Sequence, residues 1–159
     1  MAARPERLIA VAVSSDGIAA VCLVGGKLKN WQLWRPAPGR ETELRSKVRT
    51  LVAEFGPDII ATEDPHLDCR KRGRSYASLL ALVQDAQDQP ARHIPLQRIQ
   101  LYRNQIEEAQ ALVGRFTEMA AYRPNRAIPA NTLRRYLLYF EALSYAARVL
   151  DAPRQGDAG

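Results

Sequence analysis

The stretch from Gly56 to Arg74, GPDIIATEDPHLDCRKRGR, constrains the fold more than any other part of this chain. Ile59, Ile60 and Ala61 form a short apolar run opened by Gly56-Pro57 and closed by Asp64-Pro65, the pattern of a strand buried in the middle of a sheet. Side chains alternate along a strand. Of the adjacent acids Glu63 and Asp64, therefore, only Glu63 shares a face with Ile59 and Ala61. Arg70, Lys71, Arg72 and Arg74 follow within a few residues. A carboxylate at the end of a buried strand beside a cationic loop suits a site that handles polyanions near a metal ion. The same residues also read as a solvated strand end and a charged turn.

The flanking segments tell how that strand is covered. Leu8–Val13 is continuously apolar, Ser14-Ser15-Asp16-Gly17 is a tight turn, and Ile18–Val24 is a second apolar strand. After Gly25-Gly26, the segment Lys27–Trp34 alternates in part and predicts an edge strand, so the first third is an antiparallel meander. Its tryptophans, Trp31 and Trp34, are expected to pack on the core. Leu44, Val48, Leu51, Val52 and Phe55 recur at helical spacing over 41–55, and Gly56-Pro57 stops that helix. The helix and the Glu63 strand make a right-handed crossover back to the sheet. Further on, the patterns predict a helix from Ser75 ended by Pro90, a strand over His93–Ile99, a helix over Asn104–Tyr122, and a last helix over Thr132–Leu150. The stripe of that last helix is Leu133, Leu137, Phe140, Ser144, Ala147 and Leu150. The order β-β-β-α-β-α-β-α-α makes an α/β domain, a mixed five-stranded sheet with helices on both faces, over residues 1–152, with 153–159 as a polar tail.

Composition narrows the partners. The 159 residues carry a formal net charge of +6, with 47% hydrophobic and 25% charged residues, so one domain can bury a real core and present excess positive charge to nucleic acid or another acidic partner. Cys22 and Cys69 are far apart and expected to be reduced thiols. No apolar run reaches the length of a membrane span, and the N-terminus lacks the apolar core of a signal peptide, so a cytoplasmic location is expected. His66, Asp68 and Cys69 lie close in sequence, but three residues on one loop read as loop residues rather than as a metal site.

Three segments carry a family resemblance. FGPDIIATEDP resembles the strand of RuvC-type Holliday-junction resolvases that ends on a catalytic glutamate, with Glu63 at that position. IPLQRIQLYRNQIEEA is similar to the family's last strand and the polar residues after it. YFEALSYAARVL resembles the C-terminal helix in which an acid precedes Ala-Leu, with Glu141 at the acid. The resemblance implies a ribonuclease H-like fold and a protein that binds branched or structured nucleic acid, branched DNA foremost. It also implies a site where Mg²⁺ or Mn²⁺ serves a metal-dependent endonuclease, and a homodimer. There are departures. Where the family's first strand ends in Ile-Asp, this chain has Val13-Ser14, with Asp16 displaced into the turn, and Leu138 stands where a further acid precedes Glu141.

The resemblance thus leaves Glu63 and Glu141 as catalytic and metal-binding candidates, with Asp16 as a third, and Arg70, Lys71, Arg72 and Arg74 as nucleic-acid-binding residues. Two-metal hydrolysis needs carboxylates that hold two cations about 4 Å apart, and serine supplies neither the charge nor the bridge. Asp16 is also an ordinary turn-former. Glu141 in an apolar helix is costly unless it is paired, metal-bound or able to reach solvent. The alternative function is a catalytically degenerate relative that keeps the fold for binding nucleic acid or protein. Arg98, Arg103, Arg134 and Arg135 are expected to extend the basic surface, and Tyr76 to pack in its helix.

Overall fold

The computed structural model describes residues 4–15, 17–35 and 41–152. The expectations for Asp16 and for the tail 153–159 therefore lie outside the described residues. Five strands form one sheet in the order β3-β2-β1-β4-β5: β1 (Arg7–Ser14), β2 (Gly17–Val24), β3 (Lys27–Trp34), β4 (Ile59–Glu63) and β5 (Arg92–Leu96). The pairs β1/β2 and β2/β3 are antiparallel, and β1/β4 and β4/β5 are parallel. The mixed sheet expected from the sequence is the one observed. The outer position of β3 follows from its weaker alternation, because only Leu28 of its eight residues is fully buried.

Alternation along β1 and β4 divides the core into two layers. Ile9, Val11, Val13 and Ile60 face α1 (Glu41–Phe55) and α2 (Gly73–Gln87). Leu8, Ala10, Ala12, Ile59 and Ala61 face α3 (Gln105–Arg115) and α4 (Ala130–Asp151). The second face is rich in alanine. It meets Ala142, Ala146 and Ala147 of α4, so small side chains on both sides let that helix lie across the middle of the sheet. Glu63 continues the Ile59–Ala61 face and so points toward α4, as the period of a strand requires.

Asp58 holds the entry to β4. It accepts the Arg7 backbone N–H at 2.8 Å through its side chain, and its own N–H donates to the Arg7 carbonyl at 2.7 Å. The Arg7 guanidinium donates to the Phe55 carbonyl at 2.8 Å and lies 4.2 Å from the Phe55 ring centroid. This clamp joins the end of α1 to the start of both parallel strands. The turn before it runs through Gly56 at φ +64°, a conformation costly for any residue with a Cβ.

Several boundaries differ from the sequence expectation. The predicted helix over Asn104–Tyr122 is two pieces, α3 and a 3₁₀ segment over Thr117–Tyr122, because Phe116 leaves helical geometry to bury its ring beside Met119. That bend brings Tyr122 against Trp31, whose indole N–H donates to the Tyr122 hydroxyl at 3.2 Å. α2 starts at Gly73 rather than Ser75, and β5 ends at Leu96 rather than Ile99. The buried face of α4 is wider than the predicted stripe. Leu138, Tyr139, Leu143, Tyr145 and Ala146 are fully buried whereas Leu133 and Leu137 are half-buried, since the helix has the sheet on one side and α3 on another. Trp31 and Trp34 pack against the two core layers, and Cys22 and Cys69 are free thiols. Burial pushes the Cys22 thiol up to about 12.

Gly17 gives a direct test of this packing. A Cβ added there would stand 2.5 Å from the Trp34 carbonyl oxygen. Gly17→Ala is expected to force β2 and β3 apart and lower the unfolding free energy by about 1–3 kcal/mol. A shift of the urea midpoint checks this, and an unchanged midpoint would show that the strand pair yields at no cost.

Candidate functional site

The carboxyl ends of β4 and β5 open into a cleft of about 850 Å³ whose wall includes Glu63, Arg70, Lys71, Arg72, Arg98 and Glu141. Three elements aim charged groups at one point. β4 delivers Glu63, which is 2% exposed. α4 crosses the sheet above it and delivers Glu141, with Tyr145 one turn later on the same side. The loop between β4 and α2 delivers Lys71.

Lys71 is turned inward. Its ammonium donates to Glu63 Oε1 and, at 3.0 Å, to Glu141 Oε2, with the lysine side chain only 14% exposed. The Tyr145 hydroxyl lies 2.9 Å from Glu141 Oε2 and 3.3 Å from Glu63 Oε1, so its single proton serves Glu141 at the shorter distance. Burial, reinforced by the charges of Glu141 and Glu63, holds the Tyr145 phenol well above its usual range, so it stays a neutral donor. For Lys71, burial favours the neutral amine. The Glu141 charge and the hydrogen bond and charge of Glu63 outweigh it and hold its pKa above the ordinary lysine value.

A second pair buttresses the first. Arg98 forms a two-pronged contact with the buried Glu108, at 2.9 and 2.7 Å, and its Nε lies 3.9 Å from Glu141 Oε1. Arg98 also donates to Ser144 Oγ at 3.4 Å, and Ser144 Oγ donates to the Glu141 carbonyl at 2.6 Å. Bidentate pairing fixes the guanidinium plane, and with it the wall of the cleft beside Glu141.

Lys71, expected among the nucleic-acid-binding residues, is turned inward, with its ammonium on Glu63 and Glu141. Arg98 is likewise held inside by Glu108 instead of extending the basic surface. Arg70 and Arg72 are exposed in the cleft wall, Arg74 is exposed in the first turn of α2, Arg103 and Arg134 are exposed elsewhere, and Arg135 is half-buried. Glu63 and Glu141 do come together. Ser14 ends β1 on the Glu63 face by alternation, and Asp16 lies outside the described residues. Among the described residues, no group of three or more His, Cys, Asp or Glu side chains could hold a metal ion, and His66, Asp68 and Cys69 are ordinary loop residues. Among the described residues, two carboxylates with an ammonium between them do not make up a two-metal centre. Sequence reasoning missed Tyr145 and Glu108. The trace of the first was a polar ring one helical turn after Glu141.

The charge triad makes a stability prediction. Lys71→Met leaves Glu63 and Glu141 facing each other under cover and is expected to cost about 3–5 kcal/mol. The folded-state pKa of Lys71 lies above its unfolded value. Its contribution is therefore complete below the usual lysine value of 10.5 and is lost as pH rises through the higher folded value. Urea melts of both proteins, at neutral pH and above that value, should show an alkaline loss in the parent that Lys71→Met lacks.

No family model matches the chain, and no curated protein sequence does. Solved structures do. RuvC of T. thermophilus in complex with Holliday junction substrate aligns with a TM-score of 0.56 at 12% identity, over 89% of this chain and 95% of that one. The fowlpox virus resolvase in complex with Holliday junction DNA aligns with a TM-score of 0.55 at 14% identity, over 91% and 99%. Among the described residues, no helix is long and apolar enough to cross a membrane. With its meander, its two parallel strands and helices on both faces, the chain has the ribonuclease H-like fold in the form shared by the RuvC and fowlpox virus resolvases.

Proposed function

We propose that this protein binds branched or structured nucleic acid, DNA junctions foremost, through the arginine-rimmed cleft, and that it does so without hydrolysing the strand. The observation that carries this reading is the Lys71 ammonium held by both Glu63 and Glu141. An ammonium neutralises carboxylates but does not coordinate and acidify water as a divalent ion does, so the activation of the attacking water has no agent among the described residues. Binding needs neither. Arg70 and Arg72 in the cleft wall, and the exposed Arg74 in the first turn of α2, offer planar donors suited to phosphate oxygens. The net charge of +6 favours the same partner. The likeness of the fold to two proteins solved with Holliday junctions supports a branched substrate over a continuous duplex. A homodimer and a cytoplasmic setting belong to the same proposal.

Metal-dependent nicking by Glu63, Glu141 and Asp16 is the competing reading, and one experiment separates the two. A labelled four-way junction is incubated with the protein and Mn²⁺, beside Glu63→Gln. Retarded but intact junction is the expected result, and nicking that disappears in Glu63→Gln would overturn the proposal. Replacing Arg70, Arg72 and Arg74 together by alanine should flatten the slope of log affinity against log salt by about 2.7 if each arginine meets one phosphate of a duplex arm. Light scattering of the free protein checks the dimer.

A further inference from the structure

The chain's excess positive charge lies mostly outside the cleft. Four cations line the cleft, but three carboxylates line it with them. The stretch from Met119 to Phe140 instead holds Arg123, Arg126, Arg134 and Arg135 and no acid, so it carries four of the six net positive charges. Arg123, Arg126 and Arg134 are exposed. Among the described residues, Arg123 and Arg126 enter no ion pair, whereas Arg4, Arg49, Arg98 and Arg115 each meet a carboxylate. We infer that the loop from Arg123 to Pro129 and the start of α4 form a second phosphate-binding surface, which grips the backbone of a nucleic-acid arm as it leaves the cleft. This inference rests on the function proposed above and adds to it a second place on the chain.

Two features distinguish this surface from a solvated run of charge. The first is that the loop is fixed at its root and along its length. Tyr122, just before Arg123, has the rings of Tyr136 and Tyr139 each 5.0 Å away, and its hydroxyl accepts the Trp31 indole N–H. Pro124 is buried. Asn125 then turns the chain, its side-chain oxygen accepting the Ala127 N–H at 2.8 Å and its backbone carbonyl the Ile128 N–H at 3.3 Å. Cations held on a fixed backbone lose less freedom on meeting phosphate than cations on a mobile one. The rings around Tyr122 are engaged in anchoring the loop, so the surface offers guanidinium groups to backbone phosphate and no platform for reading bases.

The second feature is position. α4 runs from Ala130 through Glu141, so the loop and the cleft are joined by one straight element. Arg134 stands about two turns before Glu141, on the same side of the helix. That spacing is about 10 Å along the axis, and the helix start at Ala130 is about 16 Å from Glu141. Backbone phosphates rise about 3.4 Å per base pair, so a branch point seated at the cleft leaves the loop about five base pairs out along an arm.

The test is equilibrium binding and hydroxyl-radical footprinting of a four-way junction whose arms exceed one helical turn. The full chain is compared with Arg123→Ala/Arg126→Ala/Arg134→Ala and with lysine at the same three positions. The alanine variant should flatten the slope of log affinity against log salt by about 2.7, so that between roughly 50 and 200 mM salt the parent loses about fortyfold more affinity than the variant. Its protection should vanish at arm phosphates about five or more base pairs from the branch point and persist nearer to it. The lysine variant keeps the charge and should keep the slope. An alanine variant with the parent's slope and footprint would overturn the inference, which is also the outcome if an acidic protein is the true occupant. Loss of protection confined to the branch point, or a lysine variant as flat as the alanine one, would overturn it too. A parent that binds no junction defeats the proposed function itself, whereas a parent that binds and an alanine variant that matches it removes this surface alone.

Discussion

Two carboxylates at the carboxyl end of the central parallel strands, one buried and one partly covered, set the terms for the rest of this molecule. Glu63 is fixed there by β4, whose alternation gives it no other direction to face, and Glu141 by the helix laid across that end. A covered carboxylate is costly unless a donor or an opposite charge lies beside it. The chain supplies one from its own loop and adds the Tyr145 phenol and the Arg98 guanidinium beside the acids. Charge compensation thus couples β4, α4, the β4–α2 loop and the segment after β5 in one network.

The network depends on features that carry no charge. Alanines on one face of the sheet and on the facing side of α4 let the helix approach closely enough for Glu141 and Tyr145 to reach over Glu63. The Arg7–Asp58 clamp fixes where β4 enters the sheet, and so where it ends. Bulkier residues at these alanines would lift α4 and separate the acids, which is how a packing face comes to govern an electrostatic site. The solved resolvases share this frame over most of the chain at very low identity. The frame can therefore persist while most of the residues that fill it change.

Much of the fold was legible in the residues. The meander, the order of strands and helices, and the inward face of Glu63 all follow from periodicity, because burial of a face imposes a repeat that local sequence must obey. The bend at Phe116 was not legible. Thr117–Tyr122 has a helical composition, and the helix breaks there only because a buried ring and a contact to Trp31 outweigh local preference. The wide buried face of α4 escaped for a similar reason: a helix covered on two sides shows no single stripe.

Within the site, the sequence alone determined that Glu63 sits at a strand end, that Glu141 lies in an apolar helix needing a partner, and that a run of cations follows the strand. It could not say which of four neighbouring basic residues would turn inward. Arg70, Lys71, Arg72 and Arg74 are alike as letters, and what separates them is the path of the loop through two left-handed residues and the placement of α4, contacts between segments up to 70 residues apart. Helices and strands are written in local patterns, whereas the pairing of a charge is decided by whichever opposite charge the assembled fold brings within reach.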